Sequence, residues 1–548
     1  MDHTHEHHAH GAEHFPTDAA GLPEAAPSQT IDLGDGDTFE LRIAPVAKQI
    51  GDAHVRMLAY NGSIPGPTLR VREGSEVEID VTNEGDLDAT VHWHGLRLDN
   101  RYDGTHETQA PIPVGGSFSY RITFPDPGVY WYHPHVREDY AQEMGLYGNI
   151  LVVPSDPDYW PPAHRDVPLT LDDVLIEDGR IAPFSRSETT HAAMGRFGNV
   201  LLVGGETDLA LTARLGEIVR LHLTNTANTR VFDVTLPGAR LKLVGGDSGR
   251  HEHEQIVDSV VIAPSERAVV DALFEQPGRL TLEHRTPDRT YPLATIDVAD
   301  EPASPSLVGR FDALRHNAEW AAERERLKPY LDAPPDKTLA LVAEMDLGAP
   351  EGAAVYTCPM HPDVVSDEPG RCPQCGMKLL PSQVVAQASE HGAHEHEHHD
   401  EHDHAHHEQH GDAGGIEWED DMVDVNRMTT PANMRWNLVD RETGAVNAAI
   451  AWRFRVGDRV KLRVVNEMDS DHPMHHPFHI HGAGRFVVLA RDGVPEENLV
   501  WKDTVLVRTG ETVDILLDVT NPGLWMAHCH IAEHHESGMM FSFEVAPQ

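Results

Sequence analysis

Between His528 and Met539 the chain reads His-Cys-His-Ile-Ala-Glu-His-His-Glu-Ser-Gly-Met, a stretch dense in metal donors. A strand points alternate side chains to opposite faces, so His528 and His530 project one way and Cys529 the other. One tripeptide can therefore serve two metal sites. Cys529, His534 and Met539 supply a thiolate, an imidazole and a thioether, which is a blue-copper set short of one imidazole. The missing ring is available in His476-Pro477-Phe478-His479-Ile480-His481, where a period of two groups His479 with His481 and leaves His476 for a different centre. Two further pairs, His92-Trp93-His94 and His133-Pro134-His135, lie toward the other end of the chain. Eight imidazoles in four pairs suit a copper cluster.

A third group stands apart from these. Cys358-x-x-His361 and Cys372-x-x-Cys375 give two ligand pairs on tight turns, the spacing of a tetrahedral site for zinc or copper. The chain has four cysteines, three of them here and the fourth at Cys529, so no disulfide framework is implied. After this group, His391 to His410 alternates His with Glu and Asp; such a tract buries no core and is expected to be disordered, with capacity for several metal ions. Residues 1–27, with His3, His5, His7, His8, His10 and His14, read as a similar flexible tail.

The elements that must position these donors show in an internal repeat. Gly74 to Asn83, Gly216 to Asn225 and Gly457 to Asn466 each run from a glycine turn through an alternating strand to an asparagine. Three copies imply three similar all-β units, and short strands between Gly/Pro turns imply antiparallel sandwiches. Pro127 to His135 likewise parallels Pro522 to His530, whereas the middle copy, Pro277 to His284, has lost the paired histidines. The third repeat comes about a hundred residues late, which marks an insert. It opens with a helix expected over Phe311 to Leu327, with Phe311, Leu314, Ala318, Ala322 and Leu327 as its apolar stripe.

The formal net charge of -46 argues against nucleic acid or an anionic membrane as partner and favours attraction of cations. No apolar run reaches membrane-spanning length, and the first residues lack a secretory signal, which points to a cytoplasmic protein or one whose signal has been removed. The oligomeric state is not written in the sequence.

The four histidine motifs, with the intervening cysteine and the trailing His534 and Met539, resemble the ligand motifs of the multicopper oxidases, the laccase-like enzymes of three-domain bacterial type. The Cys/His segment resembles a small heavy-metal-binding module. These resemblances imply cupredoxin-like Greek-key domains at about 28–155, 156–300 and 415–548, with a helical linker at 301–350, the module at 351–382 and a His-rich disordered linker at 383–414. They imply four copper ions: one blue copper on His476, Cys529 and His534 with Met539 axial, and a cluster of three between the first and last domains. In the cluster, His92 and His479 take one copper, and His94, His133, His135, His481, His528 and His530 the coupled pair. The middle domain is then a spacer, with His251 and His253 as exposed loop residues.

The implied activity is one-electron oxidation of phenols, Cu(I) or other metal ions coupled to four-electron reduction of O2 to water, with a place in copper tolerance. Asp103 matches the acid that related enzymes keep beside the cluster as a proton relay. At His535 those relatives have glutamate, whereas here the acid comes one residue later, at Glu536, which leaves a second proton donor open. Met468 and Met474, in the run Glu467 to His475, are expected to dock Cu(I). The competing classes are a copper sequestration protein and a copper nitrite reductase; a full set of cluster ligands in one chain speaks against both.

Overall fold

The three repeat copies fold alike because of their two fixed residues. Gly74, Gly216 and Gly457 have φ of +84°, +74° and +99°, which glycine adopts without steric cost. Each glycine turns the chain into an interior strand: Glu76–Asn83, Ile218–Asn225 and Arg459–Asn466. At the far end the asparagine amide donates to two carbonyls and clamps the loop that follows. Asn83 reaches Leu87 and Ile112, Asn225 reaches Arg230 and Ile262, and Asn466 reaches Met474 and Val507.

The computed structural model describes residues 14–348, 355–395 and 414–548. Each repeat strand lies between a parallel and an antiparallel neighbour, the parallel ones being Thr38–Ile50, Arg165–Val174 and Lys337–Met345. A five-stranded sheet accompanies each of these sheets, giving three β-sandwiches. A small three-stranded sheet, built on Tyr356–Thr357, carries the Cys/His segment.

Several expectations change here. Lys337–Met345, read as part of a linker, is a strand of the third sandwich: it pairs with Arg459–Asn466 and with Met434–Asp440, burying Leu339, Leu341, Ala343 and Met345 on one face. The Cys/His segment therefore interrupts the third sandwich after its first strand. The single helix expected over Phe311 to Leu327 is two, Val308–Phe311 and Glu319–Leu331, with Leu314 exposed between them. Trp320 and Leu327 pack on Val487, Leu489, Leu499 and Leu516 instead. Residues 14–27 are seated, not loose: Phe15 stacks on Tyr140 at 3.7 Å, and Ala25 and Ala26 donate to the carbonyls of Ala47 and Gly62. Ser382–Glu395, read as the start of a disordered linker, is a helix that buries Val384 and Ala388. The His3 to His10 cluster and most of the His391 to His410 tract lie outside the described residues. Among the described residues no helix is long and apolar enough to cross a membrane.

The second sheets of the first and third sandwiches bring the histidine motifs into register. Strand His92–His94 pairs with Gly128–His133 so that His92 faces His133. His476–Ile480 pairs with Gly523–Cys529 so that His479 faces His528 and Phe478 faces Cys529. The period-two argument holds: His528 and His479 share one face, and Cys529 shares the other with His476.

Candidate metal centres

On the Cys529 face, the thiol sulfur lies 3.4 Å from His476 Nδ1 and 3.8 Å from His534 Nδ1, with all three side chains buried. Met539 is buried beside them; its carbonyl accepts from Cys529 N, and its own N donates to the His534 carbonyl. The chain leaves the strand at Cys529, and the short helix Ala532–Glu536 turns His534 back toward the sulfur.

On the other face the eight imidazoles converge. Donor atoms of His92, His479 and His481 lie within 4.8 Å of one another, as do those of His92, His94 and His133, and of His135, His481 and His528. His530 closes the group, its ring 5.1 Å from His133 and 5.2 Å from His528. None of the histidines expected here is left out.

What fixes the rings was invisible in the motifs. His92 Nδ1 donates to the Asp103 carbonyl at 2.7 Å, His479 Nδ1 to the Asp503 carbonyl at 2.9 Å and His528 Nδ1 to the Cys529 carbonyl at 2.8 Å. His481 Nδ1 lies 2.9 Å from Asp103 Oδ2, and His133 Nδ1 2.9 Å from Glu138 Oε1. Each of these rings is thereby turned to offer Nε2. His94 is the reverse, with Nε2 on Asp503 Oδ1 at 2.9 Å. Glu138 also faces His535 Nδ1 at 3.1 Å, while Glu536 accepts from the Glu138 backbone N instead.

The middle sandwich does more than separate the other two. Arg267 pairs with both oxygens of Asp503, donates to the Val129 carbonyl of the first sandwich at 2.9 Å, and so joins all three units behind His94 and His479. Ser265 Oγ lies 3.2 Å from His94 Nδ1. His251 and His253 are half-buried on strand Gly249–Val257, not in an exposed loop, and His253 meets the His316 ring at 4.4 Å. Sequence reasoning missed Asp503, Glu138, Ser265 and Arg267, because nothing but their position in space connects them to the histidines.

The Cys529 centre is roofed by a segment of the middle unit. His534 Nε2 donates to the Ala193 carbonyl at 3.3 Å; Trp436 stacks on His534 at 4.1 Å and donates to the Ala192 carbonyl at 2.6 Å. Asn426 and Thr429 hold the backbone N–H groups of Met194 and Ala193. The two methionines expected to share an ion diverge: Met474 is sealed in the core, whereas Met468 is half exposed against Gly376 of the Cys/His segment.

That segment brings its four residues together as expected. Cys358 Sγ is 3.7 Å from both His361 Nδ1 and Cys375 Sγ, and Cys372 Sγ is 3.6 Å from the same His361 nitrogen. It is docked, not tethered. Lys378 Nζ pairs with Asp471 at 3.0 Å, Arg371 with Asp469 at 3.1 Å, and Met377 and Leu380 are buried in the cluster that holds Trp436 and Met474.

The electrostatics match metal donors. Burial holds His94, His135, His476, His479, His481, His528 and His534 well below the ordinary imidazole range and His530 down to about 3, so the rings stay neutral. Burial also pushes the Cys529 thiol up, so its thiolate needs a cation beside it. Buried nitrogens without a partner include His92 Nε2, His479 Nε2 and both of His135 and His530, a deficit that bound metal removes. In the Cys/His segment the neighbouring Cys375 and His361 pull the Cys358 thiol down to about 5.

Residues 20–157 and 419–548 match two family models described as multicopper oxidase, and residues 355–382 match the heavy metal binding domain. Among curated relatives, multicopper oxidase MmcO of Mycobacterium tuberculosis is 25% identical over 95% of this chain and 90% of its own length. Laccase-3 of rice, Oryza sativa, is 26% identical over 92% and 91%. Among solved structures, the multicopper oxidase of Campylobacter jejuni, described as a metallo-oxidase, superposes with a TM-score of 0.65 at 20% identity over 98% of this chain and 99% of that one.

Proposed function

The chain belongs to the multicopper oxidases, with a heavy-metal-binding module inserted in its third sandwich, and on that premise we propose how its residues divide the work and what they oxidise. His476, Cys529 and His534, together with Met539, would hold one copper, and the eight paired imidazoles three more. When bound, copper supplies stepwise acceptance of single electrons and the four-electron reduction of dioxygen to two waters.

The polypeptide's part follows from its connectivity. Cys529 faces one centre and is bonded on either side to His528 and His530, which face the other, so two equally short electron paths each cross a single peptide unit. That juxtaposition is the single observation that carries the reading. Asp103 holds His92 by its carbonyl and His481 by its carboxylate, and that carboxylate is the group that passes protons to the cluster. Burial of all eight rings keeps the pocket closed to bulk water.

Phenols and Cu(I) are the substrates we assign, with Cu(I) favoured. The net charge of -46 and the docked Cys/His module both raise cation concentration near the third sandwich. We assign the module copper in preference to zinc because it docks on the loop, Met468 to Pro473, that leads to His476 of the Cys529 centre. Counting copper per chain alongside oxygen uptake with Cu(I), Fe(II) and a phenol tests the whole reading. Four tightly held coppers in the oxidase core, a further one in the module, and turnover are expected; loosely bound copper without turnover would mean sequestration.

A further inference from the structure

Met194 and His472 form a buried pair of donors that the reaction described so far does not use. Met194 Sδ lies 3.1 Å from His472 Nε2, and neither side chain is more than 1% exposed. The other ring nitrogen, His472 Nδ1, is buried without a partner. This spacing matches donor pairs that converge elsewhere in the molecule, such as His481 and His528 at 3.1 Å and His476 and Cys529 at 3.4 Å.

The surroundings indicate which ion and which direction. The Trp436 ring lies 5.9 Å from His472, 4.7 Å from His476 and 4.1 Å from His534, so one indole spans the gap to both imidazoles of the Cys529 centre. On the other side, Arg371 of the Cys/His module donates to the Ser470 carbonyl, two residues before His472. Glu417 supplies a negative charge that acts on His472 and also bonds His475. A thioether with a neutral imidazole selects a soft monovalent cation over hard divalent ones.

We propose that Met194 and His472 are the docking site for substrate Cu(I), between the Cys/His module that gathers the ion and the centre that oxidises it. The proposal rests on the metal-oxidase reading above and gives that reading its site. One docked Cu(I) loses one electron through Trp436 to the oxidised Cys529 centre and becomes Cu(II), which a thioether holds poorly and releases. Four such events, with four protons and one dioxygen reduced to two waters at the cluster, balance the reaction.

Silver(I) is a redox-inert probe for this site. The full-length, copper-loaded enzyme is expected to bind one more Ag(I) than its Met194→Leu/His472→Leu variant, and the variant's KM for Cu(I) is expected to rise about tenfold or more, well beyond any change for a phenol. Equal Ag(I) stoichiometry with an unchanged Cu(I) KM would overturn the site while leaving the metal-oxidase reading standing. Failure of the wild type to oxidise Cu(I) would overturn that reading itself. Met194→Leu alone keeps the volume and gives the same comparison if the double variant loses its blue absorption.

Discussion

The two faces of strand Gly523–Cys529 serve two centres that are held in opposite ways. On one face, eight imidazoles come from the first and third sandwiches, and the middle sandwich ties them together through Arg267 and Asp503. On the other, His476, Cys529, His534 and Met539 all come from the third sandwich, and only the roof over them, Ala192 to Met194, is borrowed. The pocket therefore depends on the assembly of three units, whereas the Cys529 centre depends on one fold and its cover. Damage to one should leave the other standing.

The largest break expected is Cys529→Ser. A hydroxyl cannot replace the thiolate that gives both colour and electron path, so blue absorption and turnover should vanish while the three cluster coppers remain. A serine variant that stayed blue would refute the assignment. Next, Asp103→Asn preserves shape but cannot carry a proton, so reoxidation by dioxygen should slow by about a hundredfold or more while reduction of the blue centre by substrate holds its rate. Equal loss in both half-reactions would make Asp103 structural. A smaller effect is expected from Asp503→Asn. It leaves Arg267 with Asp247, 3.7 Å away, as its remaining counter-charge and His94 without its anionic partner, and outer partners of this kind are worth about 10–100-fold in metal affinity. Copper per chain should fall with the blue band retained; loss of the band first would erase the contrast between the faces.

The sequence carried the donors far better than their setting. The alternation in His528-Cys529-His530 was enough to divide the two centres, and the glycine-to-asparagine repeat was enough to count the sandwiches, since both are local patterns with a direct geometric meaning. Lys337–Met345 escaped because its alternation precedes the third repeat glycine by more than a hundred residues, so only strand pairing reveals where it belongs. Asp503, Glu138 and Arg267 escaped for a different reason. An acid or a guanidinium has no local signature that says which histidine it will orient. The methionines misled because proximity in sequence stood in for direction: Met468 and Met474 are six residues apart and point to solvent and to core, while Met194, from another sandwich, meets His472.

The smallest effect sharpens the contrast most, because it concerns the cover of the Cys529 centre. With every expected core ligand outside residues 351–412, the sequence suggests that the insert can be removed without harm to the chemistry. The structure argues otherwise. Met377 is about 1% exposed and lies in the hydrophobic cluster that holds Trp436, Met474 and Cys529, and Lys378 and Arg371 grip the loop that leads to His476. Met377→Ala should therefore cost about 2–5 kcal/mol, localised to the third sandwich. Denaturant titration followed by the blue band should show that loss, and the cluster's own spectral signal should fall with it, because four of its eight imidazoles come from the same sandwich. If the blue band proved indifferent both to Met377→Ala and to deletion of residues 355–395, the module would be a passenger, and the cover of the Cys529 centre would reduce to Ala192 to Met194 and Trp436 alone.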